Sequence, residues 1–577
     1  LQRSKLQRLT QRGTGGRAGS GFDHENTPFA LRTMPMHPPR FVGGVALAAS
    51  RAFACAFAPP TGADKAVRVT SYRNPVLSGF HPDPSVARVG EWFYLVNSSF
   101  ALFPGVPIYR SRDLVHWEPL GYVLTRESQL PLASAESWAG IWAPTIRYHA
   151  GLYYVITTHM SHGGTFLVTA KEPGGPWSEP VWIAGLDGID PSLFFDDDGK
   201  AYLTSTGTPQ GIYAAQIDVE SGKLLTVPRP LWVGTGGRYP EGPHLYKIGG
   251  QYYLMISEGG TEYGHMVTIA RASSPWGPYE PCPRNPILTH RDTTNQQPIQ
   301  GTGHADLIED GEGNWWMVLL AFRPQGGSWH HLGRETFLAP VRWDAEGWPV
   351  VNDGQPIALE MKVRGLPARP TPTLPVRDDF DGPFGPAWNF LRNPVRASYS
   401  VTERRGWLTL HGTAVSLDSD KGASPTFVGR RQEHLRVRMA THIDFAPTRE
   451  GEEAGLVLYR APRQRYELAL VRGANGREIQ LRQTVGQYIS TITGSMPAPG
   501  LNPLVLQIDA EPTRYTFAWG PSPECLQAIG GAETRLLSTE VAGGFIGTYV
   551  GMYAFARSDD PSPQPAAFDW FDYEPRE

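Results

Sequence analysis

The chain has 577 residues, enough for two large domains or up to about four smaller ones. With 40% hydrophobic and 19% charged residues it can bury a core, and 52 basic against 56 acidic residues leave no cationic excess for a nucleic-acid partner. No uncharged apolar run approaches the ~18 residues of a membrane-spanning helix, and Cys55, Cys282 and Cys525 make neither a disulfide framework nor a CxxC zinc pattern. The 64 Gly and 53 Pro beside 17 Trp, 23 Tyr and 24 Phe favour many short strands joined by turns, with aromatic surface to spare for flat ligands.

Residues 1–72 are unlike the rest of the chain. The first 33 are polar and rich in Arg and Gly, and Met34 and Met36 precede a small-residue stretch from Phe41 to Pro59. Two readings stand: a disordered or leader-like extension, and a signal peptide cleaved near Ala56-Phe57-Ala58, whose apolar core Arg51 interrupts.

From residue 73 one pattern recurs five times, as HPDPSVARVGEWFYLV, WAPTIRYHAGLYYVI, DPSLFFDDDGKAYLT, EGPHLYKIGGQYYLM and GHADLIEDGEGNWWMV. An anchor is followed by an aliphatic residue, a glycine-bearing turn (Gly90, Gly151, Gly199, Gly250, Gly313) and an aromatic strand. From anchor to aligned aromatic the spacing is 11 residues for Asp83–Tyr94 and Ala143–Tyr154, and 12 for Asp190–Tyr202, Glu241–Tyr253 and His304–Trp316. Repeats of antiparallel strands at about 40–60 residues predict a β-propeller, here of five blades over residues 73–365. The innermost strand of each blade lines the central channel, so equivalent positions form a ring. Asp83, Asp190, Glu241 and His304 are therefore predicted to meet at one mouth of the channel.

After Gly365 the chain turns Pro-rich over 366–376, a semi-rigid spacer. From Arg377 to the end, runs such as WLTLHG, LRVRMATHIDF, AGLVLYR, RYELALVR and YVGMYAF alternate with turn residues and predict a β-sandwich. The fold class is all-β.

Turn chemistry alone explains Asp83-Pro84 or Asp190-Pro191 taken singly. It does not explain three carboxylates at one repeat phase, where like charges raise one another's pKa values and cost stability. Two carboxyls of divergent pKa are the apparatus of glycoside hydrolysis: one protonates the leaving oxygen, the other activates water or attacks the anomeric carbon. A third can keep the acid protonated and oriented. Three acids and a histidine could also hold calcium or another divalent ion, although HExxH and EF-hand patterns are absent. No GxSxG marks a serine hydrolase.

The run from about 73 to 360 resembles glycoside hydrolase family 43, in particular its β-xylosidases and α-L-arabinofuranosidases. The resemblance is carried by NPVLSGFHPDPS, SSFALFPGVPIYRSRDLVHW, GIWAPTIRYHAGLYYVITT, GIDPSLFFDDDGKAYLT, GTGGRYPEGPHLYKI, GTGHADL and HHLGRETFLAPVRW. DDFDGPFGPAWNFLRNP and the closing FDWFDYEP are similar, more loosely, to the concanavalin A-like domain that adjoins the propeller in such β-xylosidases. The resemblance implies that Asp83 is the general base, Glu241 the general acid and Asp190 the residue that tunes and orients the acid. It implies inversion, with acid and base ~6.5–9.5 Å apart. It places Arg334 on the terminal sugar, gives His304 a channel position that in some members neighbours calcium, and makes Trp142 with Phe103, in preference to Phe100, the aromatic walls. The C-terminal domain is then expected to pack on the propeller and narrow the mouth. Glu258 and Glu262 either line the pocket or are solvated.

The expected activity is exo-acting, inverting release of terminal β-D-xylose from xylo-oligosaccharides. Release of α-L-arabinofuranose from arabinoxylan or arabinan side chains is the alternative, with one bifunctional pocket allowed, and a non-catalytic sugar-binding propeller is the reading from another class. No cofactor is required, calcium is left open, and the partner is a xylo- or arabino-oligosaccharide rather than nucleic acid or membrane. A homo-oligomer is left open. Low cysteine usage leans the location toward the cytoplasm, with a secreted or periplasmic enzyme as the alternative.

Overall fold

The computed structural model describes residues 69–364 and 375–576, apart from 295, 474, 475, 488, 499, 501 and 558–562. Residues 1–68 of the leader-like extension and most of the Pro-rich spacer lie outside the described residues, whereas residues 69–72, assigned to the extension on sequence grounds, belong to a strand, Val69–Arg73, of the folded region. Among the described residues no helix is long and apolar enough to cross a membrane.

Five antiparallel sheets succeed one another along the chain. Their innermost strands are Ser85–Val89, Thr145–His149, Ser192–Phe195, Glu241–Ile248 and Gln300–Glu309, each turning back onto a second strand. We call these sheets blades I to V. The five predicted hairpin glycines all take a positive φ, from 63° at Gly90 to 86° at Gly151, the left-handed conformation that a tight reversal needs and a side chain resists. The repeat is visible in the register: Ala87 faces Tyr94, Arg147 faces Tyr154, Phe194 faces Tyr202 and Ile308 faces Trp316, each four residues after its anchor.

Blade IV departs from the predicted phase by one residue. Tyr246, not Leu245, faces Tyr253, and the register shifts between Glu241 and His244. Asp83, Asp190 and His304 have φ values of 53°, 57° and 41°, and in blade IV the residue with that conformation is Gly242, at 58°. Gly242 thus holds the anchor position and Glu241 stands one residue before it, re-aimed by a bulge. A Cβ on Gly242 would lie 3.1 Å from the His304 ring, so the position is kept bare.

The two ends of the propeller region pair in a separate two-stranded sheet, Val69–Arg73 against Glu360–Arg364. Asn74 seals the joint, accepting from the Leu338 N–H at 2.9 Å and donating to its carbonyl at 3.0 Å.

The C-terminal region forms two eight-stranded antiparallel sheets around a core that includes Trp388, Leu456, Leu468, Ile508, Phe517, Trp519 and Phe571. One sheet does not end within the region. Its last strand is Leu102–Phe103 from blade I, paired with Asn389–Leu391. Beside it, Phe80, Phe100 and Leu102 of the propeller pack with Leu391, Phe427, Val457, Tyr459 and Tyr549 of the sandwich. Each such side chain is worth about 1.5–3 kcal/mol when fully buried, so the two regions share one apolar seam.

Candidate active site

Four anchors, Asp83, Ala143, Asp190 and His304, line one hollow at the channel mouth together with Glu241, which stands one residue before the blade IV anchor. Arg334, Trp142, Phe100, Ile189, Thr261 and Phe545 complete it, and the volume is about 380 Å3 with its open mouth included. That is the low end for ligand sites.

Asp83 sits before the inner strand of blade I, its left-handed backbone turning the carboxylate inward. The Ser98 hydroxyl donates to its Oδ2 at 2.6 Å and Arg334 Nη1 donates to its Oδ1 at 2.7 Å. Burial works to raise its pKa, but the Arg334 guanidinium, then His304 and Ser98, outweigh burial and hold the carboxyl below its ordinary value. Asp190 occupies the same position in blade III and accepts from the Gly242 N–H at 3.0 Å. Burial and the neighbouring Asp83 raise it, against the opposing pull of His304.

Glu241 is pushed well above the usual carboxylate range, first by burial, then by Asp190 and Asp83. About 19% of its side chain remains open to the hollow, so the desolvation is that of a narrow pocket wall rather than of the core. His265 Nε2 stands 3.9 Å from Glu241 Oε1. Burial holds this imidazole neutral by lowering its pKa to about 3. The site thus offers an ionised carboxylate and a protonated carboxyl across one small space, the pairing that acid–base cleavage of an acetal needs.

Arg334 ties the walls together. Besides Asp83, it donates to Thr261 Oγ1 at 3.2 Å and to the Phe545 carbonyl at 3.4 Å. Its guanidinium carbon lies 5.8 Å from the Phe100 ring centre and 5.7 Å from that of Phe545. Trp142 meets Phe545 edge-on at 5.6 Å.

Phe103 is not among these walls. As part of the strand shared with the sandwich it packs into the core of blades I and II and faces Phe390, while Phe100, three residues earlier with a φ of 50°, lines the pocket. Glu258 neither lines the pocket nor meets solvent: it is fully buried and accepts from Thr235 N, Gly237 N, Thr235 Oγ1 and Thr268 Oγ1 at 2.7–3.0 Å. Glu262 is exposed and lies 3.6 Å from Arg238. Phe545, Thr261, Ile189 and His265 are lining or adjacent residues that the repeat did not indicate. Only the Gly259-Gly260 step before Thr261 carried a signal, as a close-approach segment.

Below the mouth runs a second ring, two residues after each anchor: Ser85, Thr145, Ser192 and Asp306, with His244 in blade IV. Arg147 Nη1 donates to Asp306 Oδ2 at 2.8 Å, Ser85 Oγ to the same oxygen at 2.7 Å, and Tyr246 to Oδ1 at 2.7 Å. Arg147 Nη2 also donates to His244 Nδ1 at 2.9 Å. The Arg147 guanidinium is thus neutralised by Asp306 below the mouth, while His304, the position left open to calcium, lines the hollow itself. Among the described residues no three His, Cys, Asp or Glu side chains are grouped to hold a metal ion.

A five-bladed propeller with these opposed carboxyls in a pocket defines a glycoside hydrolase. The model of glycosyl hydrolases family 43 matches residues 72–349, and that of the beta xylosidase C-terminal concanavalin A-like domain matches 377–574. A non-reducing end alpha-L-arabinofuranosidase of Bacteroides ovatus is 43% identical over 509 residues, covering 87% of this chain and 94% of that protein. A beta-xylosidase of Bacillus subtilis is 33% identical over 87% of this chain and 99% of its own length. The crystal structure of a xylan beta-1,4-xylosidase from Bacillus halodurans superposes with a TM-score of 0.81 at 35% identity, covering 87% of this chain and all of that one. The chain belongs to glycosyl hydrolase family 43.

Proposed function

We propose that this enzyme is an exo-acting, inverting glycosidase that removes single terminal pentoses from oligosaccharides. Asp83 activates the water, Glu241 protonates the glycosidic oxygen, and Asp190 keeps Glu241 protonated and aimed. Arg334, His304, Trp142 and Phe100 hold the terminal sugar. The observation that carries this reading is the opposite displacement of two carboxyls across one pocket, Asp83 downward and Glu241 upward. A small pocket with Phe545 of the second domain in its wall favours end-trimming over internal cleavage.

Terminal β-D-xylose and α-L-arabinofuranose stand equally as substrates, because relatives named for each cover nearly the whole chain beyond the N-terminal region. Initial rates on aryl β-D-xylopyranoside and aryl α-L-arabinofuranoside, with Glu241→Gln as the blank, choose between them. NMR of the first-formed anomer tests inversion. Folded protein inactive on both would leave the non-catalytic sugar-binding propeller.

A further inference from the structure

We propose that Tyr239 is the platform on which the departing part of the glycan stacks, immediately outside the pocket; this rests on reading Glu241 as the acid. Among the described residues the exposed aromatics are Trp138, Tyr148 and Tyr239, and Tyr239 is the most open, at 57%. Its φ is 51°, a left-handed conformation that a bulky aromatic residue takes only when its surroundings hold it there. The residue stays more than half open to water despite the contacts its ring makes with Gly260 and Arg238.

The ring is carried on a fixed segment. The buried Glu258 carboxylate grips Thr235 and Gly237, and a Cβ on Gly234 or Gly237 would collide with it. The Gly259 N–H donates to the Arg238 carbonyl at 2.7 Å, and the Arg238 guanidinium returns a bond to the Gly259 carbonyl at 3.1 Å. The Tyr239 ring lies against Gly260, where a Cβ would come within 3.2 Å of it. The residue after Gly260 is Thr261, in the pocket wall, and two residues after Tyr239 comes Glu241.

This position has a chemical meaning. The acid delivers its proton to the oxygen joining the terminal sugar to the next unit, so that unit leaves the pocket on the side of Glu241. A sugar ring there presents C–H bonds on one face and hydroxyls at its edge. The Tyr239 face offers apolar area to the first, and Arg238, 5.6 Å from the ring centre, with Glu262 offers polar partners to the second.

The test compares two substrates with the same terminal sugar: an unbranched di- or trisaccharide and the matching glycosyl fluoride, whose leaving group needs no platform. Tyr239→Ala should lower kcat/KM on the oligosaccharide about ten-fold while fluoride hydrolysis stays within about two-fold. Tyr239→Phe should retain both. Tyr239→Gly, which relieves the left-handed backbone and so guards against a folding failure, should lose the oligosaccharide alone. Equal losses on both substrates would show that the residue only props the Glu241 segment, and no loss on either would show that it meets no substrate; each result overturns the proposal. Wild-type protein inactive on both substrates overturns the glycosidase reading itself.

Discussion

Arg334 of blade V grips Asp83 of blade I across 251 positions of sequence, at 2.7 Å. The bond decides which carboxyl in the pocket is ionised. Asp83 is buried at least as deeply as its neighbours, yet it alone of the three is held below its ordinary value, because it alone accepts hydrogen bonds from the Arg334 guanidinium. Without that partner, burial would govern Asp83 as it governs Glu241.

Arg334→Gln should therefore raise the pKa of Asp83, and the acid limb of kcat/KM should move to higher pH. The wild-type pair contributes stability above the unfolded carboxyl value, lost as pH falls through the lower folded value. In the variant the sign reverses, and stability should fall as pH rises, because an unpaired buried carboxylate must ionise. Activity loss of about a hundred-fold or more is expected from removing one partner of a desolvated charged pair. Rate profiles and thermal melts across pH check both limbs.

Asp190 and Glu241 give the complementary shift. Asp190→Asn removes a charge that raises Glu241 while keeping an acceptor for the Gly242 N–H. The pKa of Glu241 should fall and the basic limb of the profile should move to lower pH. Glu241→Gln should cost about 10²–10⁴ on natural glycosides, the usual worth of a positioned acid, and far less on glycosyl fluorides. Equal losses on both leaving groups would remove Glu241 from the acid role.

The seam between the two regions predicts that the propeller does not stand alone. A chain ending at residue 364 would expose Phe80, Phe100 and Leu102 and leave the Leu102–Phe103 strand without Asn389–Leu391. It should be insoluble or lack a cooperative melt. Phe545→Ala in the full chain should fold, but should lower kcat/KM about ten- to a hundred-fold by opening the wall and releasing the contact with Arg334. Soluble yield, melting curves and KM report on the two variants.

Much of this was legible in the sequence because repetition is. Five repeats at a nearly common phase name five blades and gather Asp83, Ala143, Asp190, Glu241 and His304 into one hollow. Three kinds of information were not. A bulge changes register without changing composition, so the one-residue offset of Glu241 against Gly242 was hidden. Phe545 reaches the pocket only through docking of two separate regions, and no local pattern carries such a contact. Phe100 lines the pocket and Phe103 does not, although both sit in one aromatic run, because the sandwich takes Leu102–Phe103 as its edge strand. Glu258 looked like a solvated or lining acid because its partners, Thr235, Gly237 and Thr268, are backbone and hydroxyl donors that leave no charge pattern.

The Arg147–Asp306 pair yields the last prediction. Burial would raise Asp306, but Arg147, His244 and the Tyr246 hydroxyl bring it well below its ordinary value. Arg147→Met keeps most of the side-chain volume and leaves Asp306 as a buried, uncompensated acid. It should destabilise the protein by about 3–5 kcal/mol near neutral pH. The wild-type contribution of Asp306 is present above the unfolded carboxyl value and fades on acidification, while the variant's penalty also fades there as Asp306 takes up a proton. The gap in melting temperature between wild type and variant should therefore narrow as pH falls toward 4. Asp306→Asn added to Arg147→Met should recover part of the loss at pH 7. A gap that does not change with pH would mean that Arg147 acts through packing of its stem, not through the charge it sets beneath the catalytic ring.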